Sequence, residues 1–199
     1  PNRNWGFLWM PDYIQGGAGE YPFSLPESRA LRDYVNSHPN IAGFQSFHNT
    51  GGMLLRGPGA KDRGDYPADD LQVYDYLGKL GEEIIPNYNY YIIWRDLYTV
   101  YGGSIDWAVS SKGIFSFSNE LDFSAREDMD GDGKVNSRER LKFDDYLRMG
   151  AGYKEWEPYD HPTYGKIEIG GWTKFVSRLP TSWLLEQTCH RNAAFVIFH

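Results

Sequence analysis

The chain has 199 residues, 41% hydrophobic and 17% aromatic, a folding composition that excludes a disordered or low-complexity protein. With 20 Lys and Arg against 27 Asp and Glu the net charge is −7 and no basic cluster appears, which excludes a nucleic-acid surface, because binding phosphates needs clustered cations. The longest uncharged apolar run, Ala193 to Phe198, falls far short of the roughly 20 residues of a membrane span, and a single cysteine excludes an intrachain disulfide or a cysteine-based zinc cage.

Taken in chain order, Pro1 opens the sequence without a charged and apolar leader, so a truncated N-terminus is expected. Leu31, Tyr34, Val35 and His38 recur at helical spacing after Pro26 and before Pro39-Asn40, predicting a helix near 27–37. Ile41 to His48 is rich in β-formers and ends in the turn material Asn49-Thr50-Gly51-Gly52, a strand whose end delivers His48. Residues 56–68 read as a Gly, Pro and charge-rich loop. Leu71, Tyr74, Leu77 and Leu80 then mark one face of a second helix that ends near Gly81.

Tyr88 to Trp94 is aromatic and β-branched, an extended segment, and Leu97 to Gly103 a loop. A short helix is expected around Ile105 to Val109. Ile114 to Glu120 is the clearest strand: period two puts Phe115 and Phe117 on one face and Ser116, Ser118 and Glu120 on the other, which reads as the wall of a site. From Asp122 to about Trp156 charge rises, an inserted excursion between strands that resume at Lys166 to Ile169. Pro180-Thr181 opens a last helix with an apolar tail to Phe198, and Cys189 is read as a small buried residue. Strands alternating with helices imply an α/β fold, a mixed β-sheet with helices packed on it.

Asp128 to Glu139 matches a twelve-residue EF-hand-like calcium loop. Side-chain oxygens of Asp128, Asp130, Asp132, Asn136 and Glu139 stand at positions 1, 3, 5, 9 and 12, with the Lys134 carbonyl at 7 and Gly133 at the sharp turn. One such loop without a paired partner points to a structural calcium rather than a sensor.

A second constellation is spread along the chain: Asn2-Arg3-Asn4-Trp5, Ser46-Phe47-His48, Tyr98 ahead of Gly102-Gly103-Ser104-Ile105-Asp106-Trp107, and Ser118-Asn119-Glu120. In these motifs residues 1 to about 121 resemble the zinc carboxypeptidases of the carboxypeptidase A type, peptidase family M14. The resemblance implies that Asn2 and Arg3 bind the C-terminal carboxylate of a peptide, a guanidinium gripping a carboxylate through two parallel hydrogen bonds. It makes His48 a zinc ligand, Tyr98 a mobile residue hydrogen-bonded to substrate, and Glu120 the general base that takes the proton of the attacking water and returns it to the leaving amine.

The pocket for the terminal side chain aligns with Leu55, Gly59, Leu97, Val100, Ile105 and Ser118, none charged, which implies release of apolar or aromatic C-terminal residues. Substrates are then peptides or proteins with free C-termini, cofactors one zinc and one structural calcium, and the parent protein is secreted or periplasmic. The family's His-x-x-Glu zinc ligands and its oxyanion arginine are not in this chain, which alone is expected to be inactive; a catalytic zinc needs three protein ligands. His-Asn49-Thr50 replaces the family's His-Ser-Tyr. Glu168 is a rival base and His161, read as part of a capped turn, a rival ligand. Other classes remain: a calcium-stabilised relative that binds peptide C-termini without cutting them, and a superfamily amidase acting on peptidoglycan peptides.

Overall fold

The computed structural model describes residues 1–122, 128, 130–174 and 182–199, the side chains of the last stretch from 184 onward. The chain divides into two compact units, Pro1–His48 with Gly52–Leu121 and Arg191–His199, and Asn49–Gly51 with Asp122–His190.

The first unit carries α1 (Pro26–Ser37), β1 (Gly43–Asn49), β2 (Met53–Arg56), α2 (Ala68–Ile84), β3 (Asn89–Ile92), α3 (Ser104–Lys112) and β4 (Phe115–Leu121). Its four strands form one sheet in the order β1-β4-β2-β3. β2 runs parallel to β3, with Leu55 opposite Tyr91, and antiparallel to β4, with Leu55 opposite Ser118, so the sheet is mixed as expected.

α1 starts with Pro at its first turn, where a missing N–H is harmless, and buries Ser28 and Val35. The expected apolar face is only partly used, since Leu31 and Tyr34 are exposed and Tyr34 stacks on His38 at the surface. α2 runs past Gly81 to Ile84. Gly81 does not stop it; a Cβ there would meet Leu54 and the Phe195 ring, so the glycine permits close approach of the helix to the sheet. β2 was not legible as a strand, being four residues long and fully internal to the sheet. The extended segment at 88–94 is a shorter strand, β3, followed by a π-helical turn at Ile93–Leu97 in which Asp96 accepts the Ile92 N–H at 2.8 Å. Residues 57–60, within the expected Gly, Pro and charge-rich loop, are buried.

α3 is longer than expected on both sides. Gly103 offers no side chain to cap it, and the Ser104 N–H is instead taken by Asn2 Oδ1 at 2.9 Å. Its other end stops at Gly113 in the left-handed region, φ 67°. The two faces of β4 separate less cleanly than its alternation suggests. Phe117 is buried against Tyr74 and Phe195, while Ser116 is also buried and donates to the Ile105 carbonyl at 3.1 Å. A second aromatic cluster sets Phe23 edge-on to Trp5 and Trp107, which are tilted against each other, beside Val35 and Ile114.

The second unit contains α4 (Ser137–Leu147), β5 (Tyr153–His161) and β6 (Gly165–Trp172), the strands paired antiparallel in a sheet of their own. The strand expected at 166–169 is therefore not a return to the main sheet. Its hydrogen bonds go to β5, which charge and exposure concealed as a strand. Asn136 caps α4 with a complete capping box, accepting the Arg138 and Glu139 amides while Glu139 accepts the Asn136 amide. Asp122 and Arg148 form a buried ion pair at 2.9 Å.

α5 (Ser182–Phe198) contributes Asn192 and Phe195 to the first unit; its expected opening at Pro180-Thr181 lies outside the described residues. Cys189 is exposed rather than buried, because α5 turns other positions inward. Among the described residues no helix is long and apolar enough to cross a membrane.

Candidate active site

The N-terminal segment is held to the Gly102-Gly103 turn. Trp5 N–H donates to the Gly102 carbonyl at 3.0 Å, and a Cβ on Gly102, φ 64°, would collide with the Arg3 carbonyl. This contact places Asn2 and Arg3 beside the start of α3. The Asn2 side-chain nitrogen donates to His48 Nε2 at 2.7 Å, and Arg3 reaches its own neighbour's carbonyl, Asn2 O, at 2.5 Å and the Tyr98 hydroxyl at 3.5 Å. Tyr98 stands half exposed with its backbone fixed, its N–H donating to the Ile93 carbonyl at 3.0 Å.

Asn2, Arg3, His48, Tyr98 and Glu120 line one open cavity. Leu55, Leu97, Val100, Ile105 and Ser118 line it too, so every pocket position read from the sequence except Gly59 reaches the cavity. Gly59 lies behind the wall: its carbonyl accepts the Val100 N–H at 2.8 Å, and a Cβ on it would sit 2.7 Å from Val100 Cγ1. The lining residues that sequence reading missed are Ile93, hidden within a segment read as strand, and Gly103, Ser104 and Asp106, treated only as neighbours of Ile105. Ser104 Oγ is buried and has no hydrogen-bond partner among the described residues.

The electrostatics of the cavity favour a neutral imidazole. Loss of solvent, and then the positive charge of Arg3, hold His48 below its ordinary value, and the lone pair of the neutral ring, at Nε2, accepts the Asn2 side-chain N–H. Asp106 is pushed up to about 6 by burial, partly offset by the Gly59 N–H and the Tyr66 hydroxyl.

The rival residues are engaged elsewhere. Glu168 sits exposed on β6 opposite Pro158, and His161 Nδ1 accepts the Thr163 and Tyr164 amides at 3.0 and 3.2 Å, a capped turn. In the acidic loop Asp128 accepts the Gly131 and Gly133 amides, each at 2.6 Å, and those hydrogen bonds, that from Gly133 foremost, hold its carboxyl below the usual range. Oxygens of Asp128, Asp130 and Glu139 lie within 4.8 Å of one another. Asp132 turns its carboxylate to the Lys134 amide at 2.8 Å, and the Asn136 side chain caps α4.

Comparison with known proteins gives the family of the chain. The sequence profile of the zinc carboxypeptidases, Peptidase M14, matches residues 1–133, and the chain belongs to this family. It is 31% identical over 138 residues to carboxypeptidase A1 of Sus scrofa, covering 61% of this chain and 31% of that one. It is 30% identical over 131 residues to a zinc carboxypeptidase of Simulium vittatum, covering 61% and 43%. The structure of bovine thrombin-activatable fibrinolysis inhibitor superposes on 61% of this chain and 45% of that one with a TM-score of 0.51 at 24% identity, a likeness of fold. The chain spans about a third of the length of the carboxypeptidase A1 relatives it matches.

The family implies a zinc ion. A neutral, half-buried histidine suits it as one donor, and His48 is the candidate. Asp128, Asp130 and Glu139 are the one cluster of three His, Cys, Asp or Glu donors among the described residues, so no three-donor set forms around His48 within them.

Proposed function

We propose that this chain is the substrate-binding part of a metallocarboxypeptidase that hydrolyses the C-terminal peptide bond of peptides or proteins and prefers apolar or aromatic terminal residues. The observation that carries the reading is the convergence of Asn2, Arg3, His48, Tyr98 and Glu120 on one cavity with Leu55, Val100 and Ile105. Arg3 and Asn2 hold the terminal carboxylate, which fixes the scissile bond relative to His48 and Glu120. Leu55, Val100, Ile105 and Ser118 enclose the side chain. Tyr98, beside Arg3 and half exposed, closes over the substrate and donates its hydroxyl. Zinc, held by His48 and by the His-x-x-Glu ligands that the family carries, supplies Lewis acidity when bound. Glu120 takes the proton of the attacking water and passes it to the leaving amine.

In the full-length protein Glu120→Gln is expected to lower turnover of a peptide ending in Phe by about 100-fold or more while zinc content is unchanged. Near-normal turnover in the variant would move the base to Glu168. No turnover in the wild type, with tight binding of the same peptide, would favour a relative that binds C-termini without cutting them. Faster release of a terminal Lys than of a terminal Phe would overturn the apolar preference.

The loop at Asp128 to Glu139 is assigned one structural calcium, bound by Asp128, Asp130, Asp132, Asn136 and Glu139 side chains and the Lys134 carbonyl. Support comes from the convergent oxygens of Asp128, Asp130 and Glu139. Together with the peptidase reading, this ion puts the protein in a calcium-rich secreted or periplasmic setting. Added calcium is expected to raise the unfolding midpoint of the wild type and to leave Asp128→Asn unmoved; no rise in the wild type would remove the ion.

A further inference from the structure

Behind the terminal side-chain pocket lies a buried polar arrangement that the proposed chemistry does not use. Asp106, in the first turn of α3, is 3% exposed. Its Oδ2 accepts the Gly59 N–H at 2.8 Å and its Oδ1 lies 3.4 Å from the Tyr66 hydroxyl. Space around Gly57 and Gly59 is filled by this carboxylate: a Cβ on either would strike an Asp106 oxygen. On the opposite side Gly59 is bonded through its carbonyl to Val100, and Arg56 Nη1 donates to the Gly57 carbonyl at 2.7 Å. Residues 57–60 are therefore clamped between Asp106, Val100 and Arg56.

The clamp joins the pocket's walls. Ile105 precedes Asp106, Val100 is tied to it through Gly59, and Leu55 lies two residues before Gly57; with Ile93 these three form one packed cluster. A buried carboxylate is costly unless its acceptor sites are filled, and here two neutral donors fill them. Such an arrangement is kept in place of an apolar residue when the position of the bonded backbone matters. We propose that Asp106 is a positioning residue for recognition of the terminal side chain, holding Gly59 so that Val100 and Ile105 stay at the spacing that fits a phenyl-sized group. The inference rests on the peptidase reading of the cavity.

Two carboxylates test it on the 199-residue chain by calorimetry or NMR titration: 3-phenylpropanoate, which offers both an anion and a ring, and acetate, which offers the anion alone. Their affinity ratio cancels Arg3, Asn2 and His48, which meet both ligands through the same carboxylate. The wild type is expected to prefer phenylpropanoate, and Asp106→Asn to lose at least about fivefold of that ratio with acetate affinity unchanged. The groups facing Asp106 are the Gly59 amide, the Tyr66 hydroxyl, raised well above its ordinary value by burial and then by Asp106, and, through its field, the Arg63 guanidinium. The amide does not titrate and the Tyr66 hydroxyl is held above its ordinary value, so Asp106 is the group that loses its proton near pH 6. The wild-type ratio is thus expected to fall as pH drops through about 6, and the Asp106→Asn ratio to stay level.

If Asp106→Asn does not fold, Tyr66→Phe serves, because it removes one of the two donors to the carboxylate while Gly59 and Val100 keep all their atoms, and it is expected to lower the ratio in the same direction. An unchanged ratio in folded Asp106→Asn, or in Tyr66→Phe where the former is lost, overturns the inference and leaves the peptidase reading intact. A wild type with no preference for phenylpropanoate, in which Arg3→Ala leaves acetate binding unaltered, sinks the reading of the cavity and the inference with it.

Discussion

Asn2 donates its side-chain amide to His48 at 2.7 Å, and the same side chain accepts the Ser104 N–H at 2.9 Å. One residue thus orients a candidate zinc ligand and caps the helix that carries Ile105. The Gly-Gly-Ser motif makes this necessary, since Gly103 cannot cap α3 itself.

Asn2→Ala is expected to lose both bonds and leave the Ser104 amide unpaired, lowering stability by about 1–2 kcal/mol in urea unfolding. Acetate affinity is expected to fall several-fold in parallel. A variant with full stability would show that solvent takes over the Ser104 amide.

Gly81 sets two effects of similar size against each other. In an exposed helix interior, Gly→Ala gains about 1 kcal/mol from propensity. Here the added methyl meets Leu54 Cδ1 and the Phe195 ring, both fully buried, and overpacking a closed core costs about 1–3 kcal/mol. Gly81→Ala is therefore expected to be neutral to destabilising, by up to about 2 kcal/mol in chemical denaturation, with the loss of protection concentrated in α5 by hydrogen exchange. A gain in stability would mean that α5 yields freely.

These cases indicate what the sequence makes legible. Long periodic elements, α1, α2 and β4, follow from spacing, and Glu120 and His48 can be placed near the ends of strands β4 and β1, whereas Asn2 and Tyr98 lie outside helices and strands and can be read only from their motifs. β2 and β5 escaped for opposite reasons: one is too short for a period, and the other is exposed on both faces and carries charge where a strand would carry apolar residues. Gly81 was read as a stop because its other role, admitting Phe195, depends on a residue more than a hundred positions away. Asp106 was passed over for the same reason, since its partners Gly59 and Tyr66 come from a loop whose burial no local pattern announces.

The Asp122–Arg148 pair has side chains 2% and 6% exposed, so the two charges meet away from solvent. Arg148→Met removes the cation beside the buried Asp122 carboxylate and is expected to destabilise the second unit by about 3–5 kcal/mol, while Asp122→Asn/Arg148→Met, whose Asn tolerates the left-handed backbone at φ 62°, regains part of that loss. Limited proteolysis of the 122–190 region, with and without the second substitution, checks this. Equal susceptibility of single and double variants would mean that the pair is not what holds those residues.

The pH dependence of stability isolates Asp106. Its carboxyl is raised from 3.8 to about 6, chiefly by burial, so between about pH 4 and pH 6 the folded state binds a proton that the unfolded chain has released. Stability from this group is present at the acidic end of that window and is lost as pH rises through about 6, by up to about 3 kcal/mol. Asp106→Asn has no proton to exchange. The difference in unfolding free energy, variant minus wild type, is thus expected to increase between about pH 4.5 and pH 7.5, while contributions from the other carboxylates cancel. A difference that stays level would mean that Asp106 is ionised throughout, with the Gly59 amide, the Tyr66 hydroxyl and the field of Arg63 together offsetting its burial. Binding of phenylpropanoate would then show no acid limb near pH 6 in the wild type, so calorimetry and denaturation give two independent readings of the same carboxylate.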